Sequence, residues 1–291
     1  VLVLALALLI GSAPAIAAQK LIHSEHSLYR EVLVYEDSGT RCLCFTRWCT
    51  IGRQSCVLLE HPERLVFEYA RMMLGALYLE PEPRRILIIG LGGGTLPRAL
   101  ERLLPEAQID VVEIDPAVVQ VAQRYFGFVP DARVQVIVED GRAYVRRTQR
   151  TATRYDLIML DAYDHQYIPE HMLTREFLGE VRSLLNPEGV VAANTFSSSR
   201  LYQNESVTYA SVFGSFYNLK SGNRVILATN GMLPSLDQAT RNSGRFGSAF
   251  GALGFEPHSV LELFSTRPDW DPHARILTDQ YSPANLLNGP P

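Results

Sequence analysis

The stretch Arg85-Ile-Leu-Ile-Ile-Gly-Leu-Gly-Gly-Gly-Thr-Leu-Pro-Arg98 constrains the fold more than any other part of this chain. The apolar run Ile86 to Ile89 reads as a strand buried on both faces of a parallel sheet. It breaks at once into Gly90, Gly92, Gly93 and Gly94. Residues without a side chain let the backbone approach a ligand closely. A helical pattern, Leu96 to Leu104, comes next, and then a second apolar strand, Val111-Val-Glu-Ile-Asp115. An acid at the tip of that strand, Glu113, is placed to accept hydrogen bonds from ribose hydroxyls. Strand, glycine turn, helix and acid-tipped strand, in that order, point to an adenosine-containing ligand.

The residues after the glycines, Thr95-Leu96-Pro97, do not fit the G-x-G-x-x-G of a dinucleotide turn. No second acid-and-glycine set suggests a dinucleotide's other half. The next strand, Val134 to Val138, ends in Glu139-Asp140-Gly141. A carboxylate there can accept a hydrogen bond from an exocyclic amino group such as that of adenine. Three successive strand ends thus gather glycines, Glu113 and Asp140 at the carboxyl edge, where open α/β sheets bind ligands.

The rest of the chain suits an enzyme of this build. With 291 residues, 47% hydrophobic and 20% charged, it can bury a real core and is not a disordered segment. A net charge of −4 lacks the basic excess of a nucleic-acid binder, so nucleic acid is not expected as a partner. Alternating apolar residues predict short strands at Glu31–Tyr35, Arg41–Phe45 and Gln54–Leu58, with a hairpin turn at Asp37-Ser-Gly39. Arg64 to Leu79 reads as an amphipathic helix burying Leu65, Tyr69, Met72, Met73 and Leu77. Beyond Asp140, strands are expected at Tyr155–Leu160, Val190–Asn194, Arg224–Ala228 and His258–Leu263. Helices are expected at Arg142–Arg147, Leu173–Leu185 and near Ser206 to Leu219. Pro234 to Gly251 reads as a surface insertion or mobile helix.

The fold class is therefore α/β: a Rossmann-like, doubly wound, mostly parallel sheet preceded by a small antiparallel β domain. Residues 1–18 read as an export signal or an anchor, 19–63 as the small β domain and 64–291 as the Rossmann-like domain. The apolar run at the start is about ten residues, short for a membrane span, and Ala15-Ile16-Ala17 fits a signal-peptidase site. Export or a periplasmic location follows if that signal is real, and a cytoplasmic one otherwise; the membrane is a partner only if the segment stays uncleaved. Cys42, Cys44, Cys49 and Cys56 fall within fifteen positions and match no common zinc spacing. They read as small buried hydrophobes, with a disulfide open to an exported protein. No metal site is expected.

The strand Tyr155–Leu160 runs into Asp161-Ala-Tyr-Asp164-His165-Gln-Tyr167-Ile-Pro-Glu-His171. A carboxylate there can accept a proton from a nucleophile, or hold a cationic amine, if burial raises its pKa. Tyr167 adds a hydrogen-bonding group. His171 reads as part of the next helix start rather than of the chemistry.

At these residues the sequence resembles the spermidine synthase (polyamine aminopropyltransferase) family. The motifs carrying the resemblance are Ile88-Ile-Gly-Leu-Gly-Gly-Gly94, Val112-Glu-Ile-Asp115, Glu139-Asp-Gly141 and Tyr155 to Asp164. The resemblance runs from about Ser27 to Leu219 and on toward Leu277–Pro283. It implies an N-terminal β domain followed by a Rossmann-like domain. It also implies a decarboxylated S-adenosylmethionine co-substrate and a small-molecule amine acceptor such as putrescine, and it leaves a homodimer open. By the same resemblance Glu113 binds ribose and Asp140, with Gly141, the adenine. Asp161 deprotonates the amine and Asp164 is the second acid of the loop. Gln54 matches a glutamine ahead of the gatekeeping helix, and Tyr29, Tyr69 and Tyr167 fall at the substrate end.

The sequence departs from the family at three places. Gly93 stands where the family's glycine turn carries an acid for the aminopropyl ammonium. Arg30, after Tyr29, stands where a glutamine is usual, and Arg71 replaces an acid in the helix motif Tyr69-Ala-Arg-Met72. If all three face the pocket, it loses carboxylates and gains guanidinium groups where two cations should meet. A charge pair at about 4 Å is worth roughly 4 kcal/mol at an effective dielectric near 20, so weak or altered activity is expected. Arg30 suits the carboxylate of intact S-adenosylmethionine. The alternatives to aminopropyl transfer are an S-adenosylmethionine-dependent methyltransferase on the same scaffold and a non-catalytic nucleoside- or polyamine-binding protein. Aminopropyl transfer leads because Asp161 and Asp164 remain together in register.

Overall fold

The computed structural model describes residues 19–47, 49, 52–163 and 169–287. The expected signal or anchor at 1–18, and the candidate residues Asp164 and Tyr167, lie outside them.

β1 (Lys20–His26), β2 (Glu31–Asp37), β3 (Thr40–Cys44) and β4 (Arg53–Leu58) form an antiparallel meander in chain order. The β2–β3 turn places both Ser38 and Gly39 at positive φ, 48° and 77°, as a two-residue hairpin with matching twist requires. One face of the sheet, with Val32, Val34, Leu43 and Val57, packs on Ala117, Val118, Val121 and Phe126 of the second layer. The other holds Leu33 and all four cysteines. Cys42 and Cys56 lie directly opposite in the β3–β4 register, with Cα atoms 4.1 Å apart, and are bonded; Cys44 pairs with Cys49. The cysteines are buried, as expected, but as disulfides rather than as free small hydrophobes.

The larger sheet alternates with helices: α1 (Glu68–Leu74), β5 (Arg85–Ile89), α2 (Thr95–Leu103), β6 (Gln108–Glu113), α3 (Pro116–Tyr125), β7 (Val134–Val138), α4 (Gly141–Thr148), β8 (Tyr155–Leu160), α5 (Arg175–Ser183), β9 (Leu185–Thr195), α6 (Leu201–Phe213), β10 (Tyr217–Lys220) and β11 (Arg224–Thr229). Its spatial order is β10-β11-β9-β8-β5-β6-β7. β9, β8, β5, β6 and β7 are parallel, while β11 is antiparallel to both its neighbours. The chain winds from β5 outward to β7, then returns to β8 on the other side of β5. That reversal opens a crevice beyond the carboxyl ends of β5 and β8, the usual ligand position in such sheets.

The remaining helices, α7 (Leu236–Ser243), α8 (Gly247–Ala252), α9 (Pro257–Leu261) and α10 (Ala284–Leu287), follow β11. Three readings from sequence are corrected here. Pro234–Gly251 is helical, α7 and most of α8, but no surface insertion: Ala239, Phe246 and Phe250 are buried in the main core, and Phe250 stacks on Phe246 and Phe255 at 5.1 and 4.6 Å. His258–Leu263 is not a strand but largely α9, with Pro257 in its first turn, where the missing N–H costs nothing. Val260 is the residue α9 buries, and Phe264, just beyond the helix, joins the same core. The helix near Ser206–Leu219 starts and ends earlier, at α6, and Tyr217–Lys220 is an edge strand.

Candidate functional site

A cavity of about 590 Å³ opens over the carboxyl edge of the large sheet and is walled on its far side by the small one. This volume suits an adenosyl-sized ligand plus a small second molecule. The turn after β5 forms its floor. Gly90 has φ +104°, and a Cβ there would overlap the Asp161 carbonyl, so only glycine brings the β5 and β8 ends this close. The Asp161 N–H donates to the Ile89 carbonyl at 2.8 Å, closing the same corner.

Glu113, at the end of β6, turns back over this turn. Its Oε2 accepts from the Leu91 N–H and its Oε1 from the Asp115 N–H, both at 3.0 Å. Burial pushes its pKa up, while those two N–H donors and the Arg30 charge pull the other way. Asp115, two residues on, is used structurally: its Oδ1 caps α3 through the Ala117 N–H, and its Oδ2 accepts from Ser27 at 2.6 Å. Asp140 caps α4 through the Ala143 N–H at 2.9 Å, leaving its Oδ2 3.2 Å from His171 Nε2 at the cavity wall. Gly141 must be small, because a Cβ would meet Ile89 at 2.5 Å. His171 was not expected in the site; a short 3₁₀ turn, Glu170–Met172, swings it opposite Asp140.

Asp161 lies deeper. Asn194 at the end of β9 donates to its Oδ1 at 2.9 Å, and the Tyr69 hydroxyl of α1 bonds it from the other side. The residue is half-buried, and desolvation raises its carboxyl's pKa to about 7 against those two hydrogen bonds. The Tyr69 phenol is also raised, by burial and then by the Asp161 charge. Asn194 accepts from Asn223 Nδ2 at 3.2 Å, which fixes its amide orientation. Asn194 and Asn223 carry no local signal in the sequence; the β9–β11 pairing brings their ends together.

The small sheet contributes Phe45, Arg53, Gln54 and Ser55, and Tyr29 stands half-exposed at the rim. Ser55 Oγ is 3.0 Å from Thr95 Oγ1, tying β4 to the start of α2. Arg30 lines the cavity with its guanidinium 4.4 Å above the Phe45 ring. Among the described residues, no group of three or more His, Cys, Asp or Glu could hold a metal ion, and no helix is long and apolar enough to cross a membrane.

Residues 66–224 match the family model described as the spermine/spermidine synthase domain. A polyamine aminopropyltransferase from Vibrio vulnificus (strain CMCP6) is 46% identical over 292 residues, covering 99% of this chain and 98% of its own. The chain belongs to the spermine/spermidine synthase family. The crystal structure of a probable spermidine synthase from Corynebacterium glutamicum ATCC 13032 shares the fold, with a TM-score of 0.65 and 19% identity over 87% of this chain and 98% of its own. An eEF1A lysine and N-terminal methyltransferase from Danio rerio is 34% identical, but over 46% of this chain and 20% of its own.

The three departures from the spermine/spermidine synthase family pattern fall in different surroundings. Arg30 faces the cavity. Arg71 does not line it: its Nη2 donates to the Leu65 carbonyl at 2.7 Å. Gly93 also does not line it. A Cβ at Gly93 would point at Ser55 Oγ, 2.8 Å away, and at Phe126, 3.0 Å away. Of the four turn glycines, Gly90 and Gly92 line the cavity. Gly94 caps α2 at φ +75° against Phe128. The expected excess of positive charge therefore reduces, among these three positions, to Arg30.

Proposed function

We propose that this chain transfers the aminopropyl group of decarboxylated S-adenosylmethionine to a small amine such as putrescine, with Asp161 as the base. Glu113 holds the ribose and Asp140 the adenine amino group, through carboxylate lone pairs their backbone partners leave available. The glycine turn lets the nucleoside lie against the backbone. The acceptor amine enters beside Tyr69 and Asn194. Asp161 takes its proton, the freed nitrogen pair attacks the carbon next to the sulfonium, and the carbon–sulfur bond breaks to give 5′-methylthioadenosine. Near neutral pH a base with a pKa of about 7 is half ionised and still basic enough to draw a proton from an ammonium.

The single observation that carries these roles is the desolvated Asp161 carboxyl, held by Tyr69 and Asn194 where the cavity meets the glycine turn. Full-length similarity to an aminopropyltransferase favours this reading over methyl transfer, whose relative matches less than half of the chain. Calorimetry tests it: decarboxylated S-adenosylmethionine and 5′-methylthioadenosine should bind at least tenfold more tightly than intact S-adenosylmethionine. Tighter binding of the intact compound would favour methyl transfer and a carboxylate-pairing role for Arg30.

We also propose that the protein works outside the reducing cytosol. The leader-like residues 1–18 and the paired cysteines support this. Cell fractionation tests it, and recovery of the protein with free thiols in the cytosol would overturn it.

A further inference from the structure

Two elements far apart in sequence fasten the short 3₁₀ turn Glu170–Met172 at the cavity wall. The Glu170 carbonyl accepts from the Ser282 hydroxyl at 2.8 Å, and the His171 carbonyl accepts from Arg142 Nη1 at 2.8 Å. Arg142 is itself held on two sides. Its Nε and Nη2 donate to Glu180 at 2.8 and 2.9 Å, and its Nη1 and Nη2 donate to Asp279 at 2.6 and 2.8 Å. Paired forks of this kind fix geometry as well as adding energy. Asp279 and Ser282 belong to the stretch Leu277–Pro283, to which the mechanism above gives no role.

The fastening carries through to one side chain. His171 lines the cavity and sets its Nε2 3.2 Å from Asp140 Oδ2. A carboxylate only accepts, so Nε2 carries the hydrogen and donates it. For stability the pair counts little: the two side chains are 46% and 35% exposed, and ion pairs open to solvent contribute weakly. Its effect is on direction. Asp140 Oδ1 already accepts from the Ala143 N–H at 2.9 Å. With His171 on Oδ2, both oxygens are tethered and the carboxylate is held against rotation about its terminal bond. Each carboxylate oxygen has two acceptor positions, so Oδ2 keeps one beside the cavity that both residues line.

Resting on the adenine role given to Asp140 above, we propose that His171 is a positioning residue for the nucleobase: it holds the Asp140 carboxylate so that the remaining acceptor position of Oδ2 meets the 6-amino group of adenine.

Calorimetry with 5′-methylthioadenosine, and with its analogue carrying hydrogen in place of the 6-amino group, tests this alongside steady-state kinetics. Wild-type protein should prefer 5′-methylthioadenosine by about tenfold or more, the effect of one hydrogen bond to a charged group. His171→Ala should weaken 5′-methylthioadenosine about tenfold and leave the analogue within about twofold, because only the amino contact loses its aim. The KM for the donor should rise by a similar factor while kcat stays within about twofold, since the base is held equally in ground and transition states. His171→Gln can bring an amide N–H to the Nε2 position and should recover most of the loss. His171→Phe fills the space without a donor and should not. In an Asp140→Asn background His171→Ala should cost nothing further, because the two act as one unit. Unchanged or tighter 5′-methylthioadenosine binding by His171→Ala would overturn the proposal, as would equal losses for both nucleosides, which mark a packing role. If His171→Ala does not fold, the same comparison on His171→Phe decides. Wild-type protein that binds both nucleosides equally would be a separate result, bringing down the adenine role of Asp140 and this proposal with it.

Discussion

Replacing Asp161 by Asn should make the protein more stable and nearly inactive, and the gain in stability should depend on pH. In the folded protein this carboxyl has a pKa of about 7, against about 3.9 for an exposed aspartate. The folded state thus binds its proton more tightly than the unfolded chain. The group's stabilising contribution is fully present below the unfolded pKa and is lost as pH rises through 7. The separation is about three decades at about 1.36 kcal/mol each, so ionised Asp161 costs the fold about 4 kcal/mol above neutral pH. Asparagine removes that cost, offset by about 1 kcal/mol if the exchanged amide satisfies Tyr69 less well. Urea unfolding followed by circular dichroism should show Asp161→Asn ahead by about 3 kcal/mol near pH 8, and by less than about 1 kcal/mol near pH 4. Turnover should fall on the order of 10²-fold or more, with 5′-methylthioadenosine affinity retained. A variant less stable than wild type at pH 8, or one whose advantage ignores pH, would refute the claim that Asp161 is a desolvated base.

Two further substitutions bear on binding of the donor. Glu113→Ala should weaken 5′-methylthioadenosine binding by roughly 1.5–3 kcal/mol in calorimetry, the scale of hydrogen bonds to a charged group, and unchanged affinity would place the ligand elsewhere. Gly93→Asp should fail to improve decarboxylated S-adenosylmethionine binding and should lower the melting temperature, because its Cβ meets Ser55 and Phe126 rather than the cavity; selective tightening of that ligand would show the turn rearranging to present the acid.

Much of the site was legible because its signals are local. A strand that breaks into Gly90 and Gly92, with Glu113, Asp140 and Asp161 at successive strand ends, fixes the cavity floor without knowledge of the packing. What sequence could not give was direction. Gly93 and Arg71 fill family positions, yet Gly93 points behind the turn and Arg71 turns its guanidinium to the Leu65 carbonyl. Linear register does not say where a side chain aims. Asn194, Asn223 and His171 reach the site by sheet pairing and by a short 3₁₀ turn, long-range events with no motif. In the fold, His258–Leu263 failed as a strand because a short apolar run suits a strand or a buried helix equally, and Pro257 at its start was the deciding residue. Pro234–Gly251 misled through its polar composition, although Phe246 and Phe250 carry its burial.

The most direct measurement is of products. The full chain, incubated with decarboxylated S-adenosylmethionine and putrescine and analysed by mass spectrometry, should yield spermidine and 5′-methylthioadenosine in equal amounts. The rate should fall as pH drops below about 7, as Asp161 takes up its proton. With intact S-adenosylmethionine no methylated product should form. Methylated product with S-adenosylhomocysteine, or no 5′-methylthioadenosine from the decarboxylated donor, would contradict the assignment.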